Sequence, residues 1–318
     1  MTSSKLATIA VTSPSFSKNE TLLSELSKHA DKLILNDSNI KFTETSVVSW
    51  LNESKAEAAI IGTEPISGSV IKQLKYLKAI GKYGVGCDNI DVHALKSAGI
   101  FFHWEGGVNK RSVSELALGF MLGHFRNVFK NIDCMQSGSW KKVGGVQVSN
   151  RNIGIVGLGH IGTDLASLLQ PFGCKIYFHD VADKSDTAKK YGIEQLDYLD
   201  LLRQCDMISF HVPGGDSTHH MFADKEIAAL RNNKPLIINT ARGTVCDFDA
   251  VVKGVNSGLL AGYASDVFPI EPFDSSQFKI ENGFYFTSHI GGNAAEAVIS
   301  MGQASIRGIM RYLELRKN

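Results

Sequence analysis

Two sets of residues in this chain have the types and spacing to do chemistry. The first is Gly157, Gly159 and Gly162, at G-x-G-x-x-G spacing, with Asp180 about twenty residues further on. Gly157 permits a tight turn off a strand. Gly159 has no side chain to hold a pyrophosphate away from the backbone, and Gly162 lets the following helix pack close to the sheet. The pyrophosphate then meets free N–H groups at the positive end of that helix. Asp180 can accept hydrogen bonds from both ribose hydroxyls and repels a 2′-phosphate, which selects NAD over NADP. The second set is Asp180, His211, Arg242, Asp266 and His289, polar residues that each lie at or just past the end of an apolar run. A surface arginine, a turn-capping aspartate or a satisfied histidine would explain any one of them alone. Ligands in open α/β sheets bind beyond the carboxyl ends of the strands, so their joint placement points to one shared site. Glu271 stands between Pro269 and Pro272, which stiffen its turn. A carboxylate fixed near an imidazole orients the ring and favours its charged form, giving a general acid–base pair suited to neutral pH.

The elements that must position these groups are legible as alternating patterns. Ile153, Ile155 and Val156 form a short apolar run before the glycines, as for a strand buried on both faces. Leu165, Leu168 and Leu169 recur at helical spacing, and Lys175–Phe178 is a second strand. Runs beginning at Met207, Pro235, Gly262 and Phe284 add four more strands, about six in all, the size of a doubly wound dinucleotide domain. Residues 5–108 alternate in the same way, with runs at Leu6–Val11, Leu33–Leu35, Ala58–Ile61, Leu77–Ile80 and Ile100–Phe102, which implies a second parallel sheet with crossover helices. That region has no glycine fingerprint. It does contain Lys82 to Asn89, where glycines after a strand suit a turn whose N–H groups can bind an anion, or a plain strand-to-helix turn. Ser112–Met135 is predicted as one long buried helix that opens on a capping box of Ser112 and Glu115. Ser137–Arg151 is predicted as an irregular connector anchored by Trp140. The last helix, Ala294–Arg316, has Ile299, Ile306, Ile309, Met310 and Leu313 spaced for an apolar face and can return to the first domain.

Composition narrows the function classes. At 318 residues two domains are the natural expectation. A formal net charge of +1 gives no reason to expect nucleic acid or an anionic membrane as partner. No stretch is long and apolar enough to span a bilayer, and the first residues run straight into a strand pattern rather than a secretory signal. The five cysteines are scattered, with no C-x-x-C pair, so neither a disulfide framework nor a zinc site is expected and a reducing cytoplasm fits. There is no nucleophile-elbow motif and no metal-ligand spacing.

Taken together, Tyr83–Asp91, Ser112–Ala117, Gly154–Gly162, His211–Pro213, Asn239–Gly243, Asp266–Pro272 and Ser288–Gly292 resemble, in this order and over nearly the full length, the D-isomer-specific 2-hydroxyacid dehydrogenases, especially the phosphoglycerate dehydrogenase-like branch. The resemblance implies an α/β protein in which a Rossmann dinucleotide-binding domain (residues 109–290) is inserted into a smaller flavodoxin-like α/β substrate domain (1–108 plus 291–318), with the active site in the cleft and domain closure excluding water. It implies Arg242 on the substrate carboxylate and carbonyl, His289 as the group that gives or takes the hydroxyl proton, and Glu271 as its partner. Gly84, Val85 and Gly86 would present backbone N–H groups to the carboxylate. His160 and Ile161 would lie on the pyrophosphate of NAD and Asp180 on the adenosine ribose. His211, Val212 and Pro213 would line the adenine side, with Thr218 nearby. Thr240 and Ala241 would approach the nicotinamide, and Asp266 would bond its carboxamide. A homodimer through the nucleotide domain is implied as well. Three departures stand out. Ser288 replaces a usual proline before the histidine, which would loosen that turn. The loop Gly62–Ser67 lacks the family's phosphate-binding arginine. Within that loop Glu64 would repel a phosphate, with Lys82 as partial compensation. A small 2-keto acid such as glyoxylate, hydroxypyruvate or pyruvate is therefore expected rather than a phosphoglycerate. The rival readings are a non-enzymatic NAD(H)-sensing co-repressor-like protein and a phosphite dehydrogenase on the same fold.

Overall fold

The computed structural model describes residues 5–230 and 233–317. These form two compact units: the chain up to Asn109 together with the chain from Asn293 on, and Lys110–Gly292.

The first unit is a five-stranded parallel sheet of β1 (Leu6–Val11), β2 (Ala30–Leu35), β3 (Ala58–Ile61), β4 (Ala79–Lys82) and β5 (Phe101–His103), in the order β2-β1-β3-β4-β5. That is the flavodoxin-like order, with the chain reversing direction across the sheet at β1 and β3. Both faces are covered, which is why β1, β3 and β4 read as apolar runs rather than alternating ones. One face packs Leu6, Ile9, Leu22 and Leu26 against Ile306, Ile309 and Leu313 of the last helix, Ala295–Leu315. The other buries Val47, Leu51, Ile61, Val70, Ile80 and Leu95. Gly81 is where the last helix comes closest: a Cβ there would lie 2.4 Å from the Ser305 carbonyl oxygen. Met310, expected on the apolar face, is instead 38% exposed, and the small residues Gly302, Ala304 and Gly308 take up the buried stripe.

The second unit is a seven-stranded parallel sheet, one strand more than expected, of β6 (Asn152–Val156), β7 (Lys175–His179), β8 (Glu194–Gln195), β9 (Met207–Phe210), β10 (Leu236–Asn239), β11 (Gly262–Ser265) and β12 (Phe284–Phe286). The order is β12-β11-β10-β9-β6-β7-β8, the doubly wound Rossmann pattern with one extra strand. Beside the edge strand β12, Phe248, Phe268, Phe273, Phe278 and Phe286 form an aromatic cluster in which Phe268 and Phe273 stack at 4.1 Å.

Three local expectations fail here. The long helix starts at Lys110, so Ser112 lies inside its first turn rather than at the N-cap, and its hydroxyl donates to the Gly291 carbonyl at 2.5 Å. The helix ends at Phe125, because Asn127 takes a left-handed conformation (φ 52°) and donates its side-chain amide to the Gly144 carbonyl; a separate helix, Val128–Gln136, follows. Trp140 anchors nothing and is 78% exposed. No helix among the described residues is long and apolar enough to cross a membrane.

Candidate active site

The carboxyl ends of the second unit's strands carry the polar residues in spatial order. Reading across the sheet, β12 leads to His289, β11 to Asp266, β10 to Arg242, β9 to His211, β6 to Gly157 and β7 to Asp180. Residues scattered over the sequence from Gly157 to His289 thus lie along one edge, because parallel strands all point their ends the same way.

At one end of that edge, the His289 Nδ1 and Glu271 Oε2 atoms are 2.8 Å apart. The other carboxylate oxygen of Glu271 accepts the Phe268 N–H at 3.0 Å, so the acid is braced by its own turn. The stacked Phe268 and Phe273 flank that turn. With Nδ1 engaged, Nε2 is the ring nitrogen left to exchange a proton. His289 itself has φ 57°, a conformation rarely held without support. Asp266 gives that support. It is buried, and its carboxylate accepts from the Thr287 hydroxyl (2.6 Å), the Ile290 N–H (2.8 Å) and the Gly291 N–H (2.7 Å). The turn is therefore tied down on both sides of His289, and Ser288 does not loosen it.

Arg242 follows β10 on a turn organised by buried Asn239, whose amide accepts the Ala241 N–H (3.1 Å) and donates to the Arg242 carbonyl (3.0 Å). The next residue, Gly243, touches the Glu271 turn directly: a Cβ there would be 2.0 Å from the Phe268 carbonyl carbon. The arginine turn and the Glu271 turn are thus packed backbone to backbone. Asn239 is a positioning residue that sequence reasoning passed over; a polar residue closing an apolar strand was its available signal. Thr240 lies within 3.4 Å of His211 Nδ1, and Ser209 within 2.8 Å of Nε2. Burial pushes the His211 pKa down to about 3, so the ring is neutral and bridges two strand ends.

The glycine turn fits a dinucleotide. Gly157 has φ 93° and lies against the His211 backbone, while a Cβ on Gly162 would fall 2.1 Å from the Gly157 carbonyl oxygen. Gly159 caps the helix His160–Leu169 without any side-chain hydrogen bond, and a Cβ there would meet open space. The first N–H groups of that helix are therefore open to an anion, with His160 exposed and Ile161 half-buried on its first turn. Asp180 closes β7 and accepts the Leu158 N–H (2.7 Å) and the Ala182 N–H (2.8 Å), which fixes its carboxylate beside the turn. The cofactor helix is further held by Asp164, which takes two hydrogen bonds from Arg111 (2.8 and 3.1 Å) and one from Ser114, a cluster the sequence did not signal. Val212 is half-buried and Pro213 exposed after β9. Thr218 donates to the Pro213 carbonyl at 2.6 Å, so its hydroxyl shapes the 213–218 turn.

A family model described as D-isomer specific 2-hydroxyacid dehydrogenase, NAD binding domain, matches residues 118–291. The chain belongs to the D-isomer specific 2-hydroxyacid dehydrogenase family. It is 32% identical over 260 residues to a glyoxylate reductase of Thermococcus litoralis, covering 79% of this dehydrogenase and 78% of that enzyme. It is 34% identical over 244 residues to a D-3-phosphoglycerate dehydrogenase of Haemophilus influenzae, covering 74% of this chain and 59% of that one. Among solved structures, a Polaromonas protein described as D-isomer specific 2-hydroxyacid dehydrogenase, NAD-binding, superposes with a TM-score of 0.87 at 26% identity, over 98% of this chain and 97% of that one. This dehydrogenase is accordingly an NAD-dependent oxidoreductase.

In the first unit, the loop Gly84–Gly86 follows β4, and Gly84 has φ 124°. Among the described residues none accepts a hydrogen bond from the N–H of Gly84, Val85 or Gly86. The neighbouring loop corrects one expectation. Glu64 is not displayed as a repelling charge: it is buried and accepts from the Thr12 hydroxyl (2.5 Å) and the Gly62 N–H (2.7 Å). Lys82 is buried too and donates to the Gly62 carbonyl. No group of ligating side chains among the described residues is arranged to hold a metal ion.

Proposed function

We propose that this enzyme reduces a small 2-keto acid, of the size of glyoxylate, hydroxypyruvate or pyruvate, to the D-2-hydroxy acid. The observation that carries the reading is the 2.8 Å pairing of His289 and Glu271 at the end of β12, two strands from the one that ends in Arg242. NADH, when bound, supplies the hydride. Protonated His289 donates to the substrate oxygen as charge develops on it, while Glu271 holds the ring and stabilises its cation. Arg242 receives the carboxylate and stabilises the developing negative charge, and Gly84, Val85 and Gly86 give N–H groups to the same carboxylate. On the cofactor side His160 and Ile161 take the pyrophosphate, Asp180 the ribose, and His211, Val212, Pro213 and Thr218 the adenine end. Thr240, Ala241 and Asp266 face the nicotinamide. Asp266 does so with the acceptor capacity it keeps beyond the three bonds that hold the His289 turn.

A small substrate is favoured over a phosphorylated one because the Gly62–Ser67 loop carries no arginine or lysine to meet a phosphate, and its Glu64 is turned inward to Thr12 and Gly62. The glyoxylate reductase relative points the same way. The five cysteines are free thiols, which suits the cytoplasm. A homodimer through the second unit is supported by the helix Val128–Gln136, on which Val128, Ile132 and Met135 share one exposed face and to which Trp140 adds a large exposed aromatic ring nearby in the chain.

The test is His289→Gln. Turnover should fall by about two to four orders of magnitude, the usual contribution of a general acid, with NADH affinity little changed. Equal loss of both would remove His289 from the proton-donor role.

A further inference from the structure

We propose that Trp104 is a positioning residue for the carboxylate-binding loop: its indole N–H, bonded to the Val85 carbonyl, sets the direction of the Gly86 N–H. The inference rests on the reading that Gly84–Gly86 receives the substrate carboxylate.

The topology brings the two together. Strands β4 and β5 are parallel neighbours with Gly81 opposite His103, so the loop after β4 and the residue after β5 emerge side by side. There the Trp104 Nε1 donates to the Val85 oxygen at 2.6 Å. A peptide unit is planar and trans, so the Val85 C=O and the Gly86 N–H point in opposite directions, and holding one aims the other. The loop needs such a hold. Gly84, at φ 124°, has no Cβ to restrict rotation of the peptides around it. Its flanks are tied elsewhere, Tyr83 to Ser15 (3.1 Å) and Asn89 to the Gly62 and Glu64 carbonyls (3.1 and 2.6 Å), and the indole acts on the stretch between.

Trp104 is itself gripped from both sides. The preceding His103 is buried and contacts Glu105 through Nε2 at 3.0 Å. The following Glu105 takes a bidentate pair from Arg307 (2.9 and 2.5 Å) on the last helix. Arg307 and His103 together hold the Glu105 carboxyl down to about 2, so the clamp is ionised throughout the working range. The indole is 45% exposed, so its placement is not explained by burial in the core.

The experiment compares W104F, which keeps an aromatic ring and lacks the N–H, with W104Q, which keeps a donor and lacks the ring. Oxamate, a carboxylate-bearing keto-acid isostere, is titrated into enzyme saturated with NADH, and KM and kcat are measured with glyoxylate. W104F should weaken oxamate and raise KM by about tenfold, with kcat and NADH affinity held within about twofold, and W104Q should recover part of the loss. Unchanged oxamate affinity in W104F, or a fall confined to kcat, overturns the proposal. A glycine-¹⁵N spectrum of the wild type separates the two readings. If the Gly86 amide does not shift with oxamate, the loop reading fails and takes this one with it. If it shifts and W104F still binds normally, only the role of Trp104 is lost.

Discussion

Replacing Asp180 by asparagine should shift the enzyme's coenzyme preference by about two orders of magnitude, and the structure supplies the arithmetic. The carboxylate sits beside the glycine turn, fixed by the Leu158 and Ala182 N–H groups at 2.7 and 2.8 Å. In the proposed site its remaining lone pairs would accept from the ribose diol. Asparagine retains one oxygen, so one charge-assisted bond to the diol is lost, worth about 1.5 kcal/mol or tenfold in NADH affinity. A doubly charged 2′-phosphate about 5 Å from the carboxylate feels a repulsion of about 1.7 kcal/mol at the dielectric of water and several-fold more in a drier site. Because Asp180 is only half-buried the lower figure applies, so removing the charge strengthens NADPH by about tenfold. One of the two backbone donors also loses its acceptor, which should lower stability by about 1 kcal/mol without unfolding the domain. Steady-state kcat/KM with NADH and NADPH on one keto acid measures the ratio directly. An unchanged ratio would refute the placement of Asp180 at the adenosine ribose.

Stability should begin to fall as the pH drops below about 6.5. Burial holds His124 neutral down to about 4 and His211 down to about 3, below the ordinary histidine value of 6.5. Between those values the unfolded chain binds protons that the folded chain refuses. Stability present above pH 6.5 is thus lost as pH falls, by up to about 1.4 kcal/mol per pH unit for each ring. Thermal unfolding across that range checks this, and His124→Phe should flatten the decline; a midpoint that ignores pH would contradict it. Ile132→Glu, on the exposed apolar face of the helix Val128–Gln136, should weaken self-association by at least about tenfold. Light scattering should then show a monomer where the proposed dimer predicts twice that mass for the parent, and an unchanged mass would move the interface elsewhere.

The parts of this molecule that could be read from its sequence are those set by local pattern. Parallel strands buried on both faces are apolar runs, and each run stops where a polar residue begins, so β6, β9, β10 and β11 announced both the sheet and the site edge. The glycine fingerprint was legible because Gly162 packs on the Gly157 carbonyl within one strand-turn-helix unit and Gly157 makes the turn itself at φ 93°; its contact with the distant His211 backbone was not. What stayed hidden depends on partners distant in sequence. Asp266 could be placed at a strand end, but not its grip on Thr287, Ile290 and Gly291, which the crossover between β11 and β12 creates. Glu64 looked like an exposed charge because nothing local shows that Thr12 comes round to meet it. The helix break at Asn127 was missed because the apolar periodicity continues through it. The left-handed residue is instead supported by Gly144, across the loop. Trp140 among glycines resembled an anchor, yet it is 78% exposed.

Arg242, Glu271 and His289 are proposed to serve the reduction of a small 2-keto acid by NADH. The most direct measurement is the loss of NADH absorbance with glyoxylate, hydroxypyruvate, pyruvate and 3-phosphohydroxypyruvate in parallel. At least one of the three small acids should be turned over, faster than the phosphorylated one. Binding of NADH without reduction of any of them, or a clear preference for the phosphorylated acid, would contradict it.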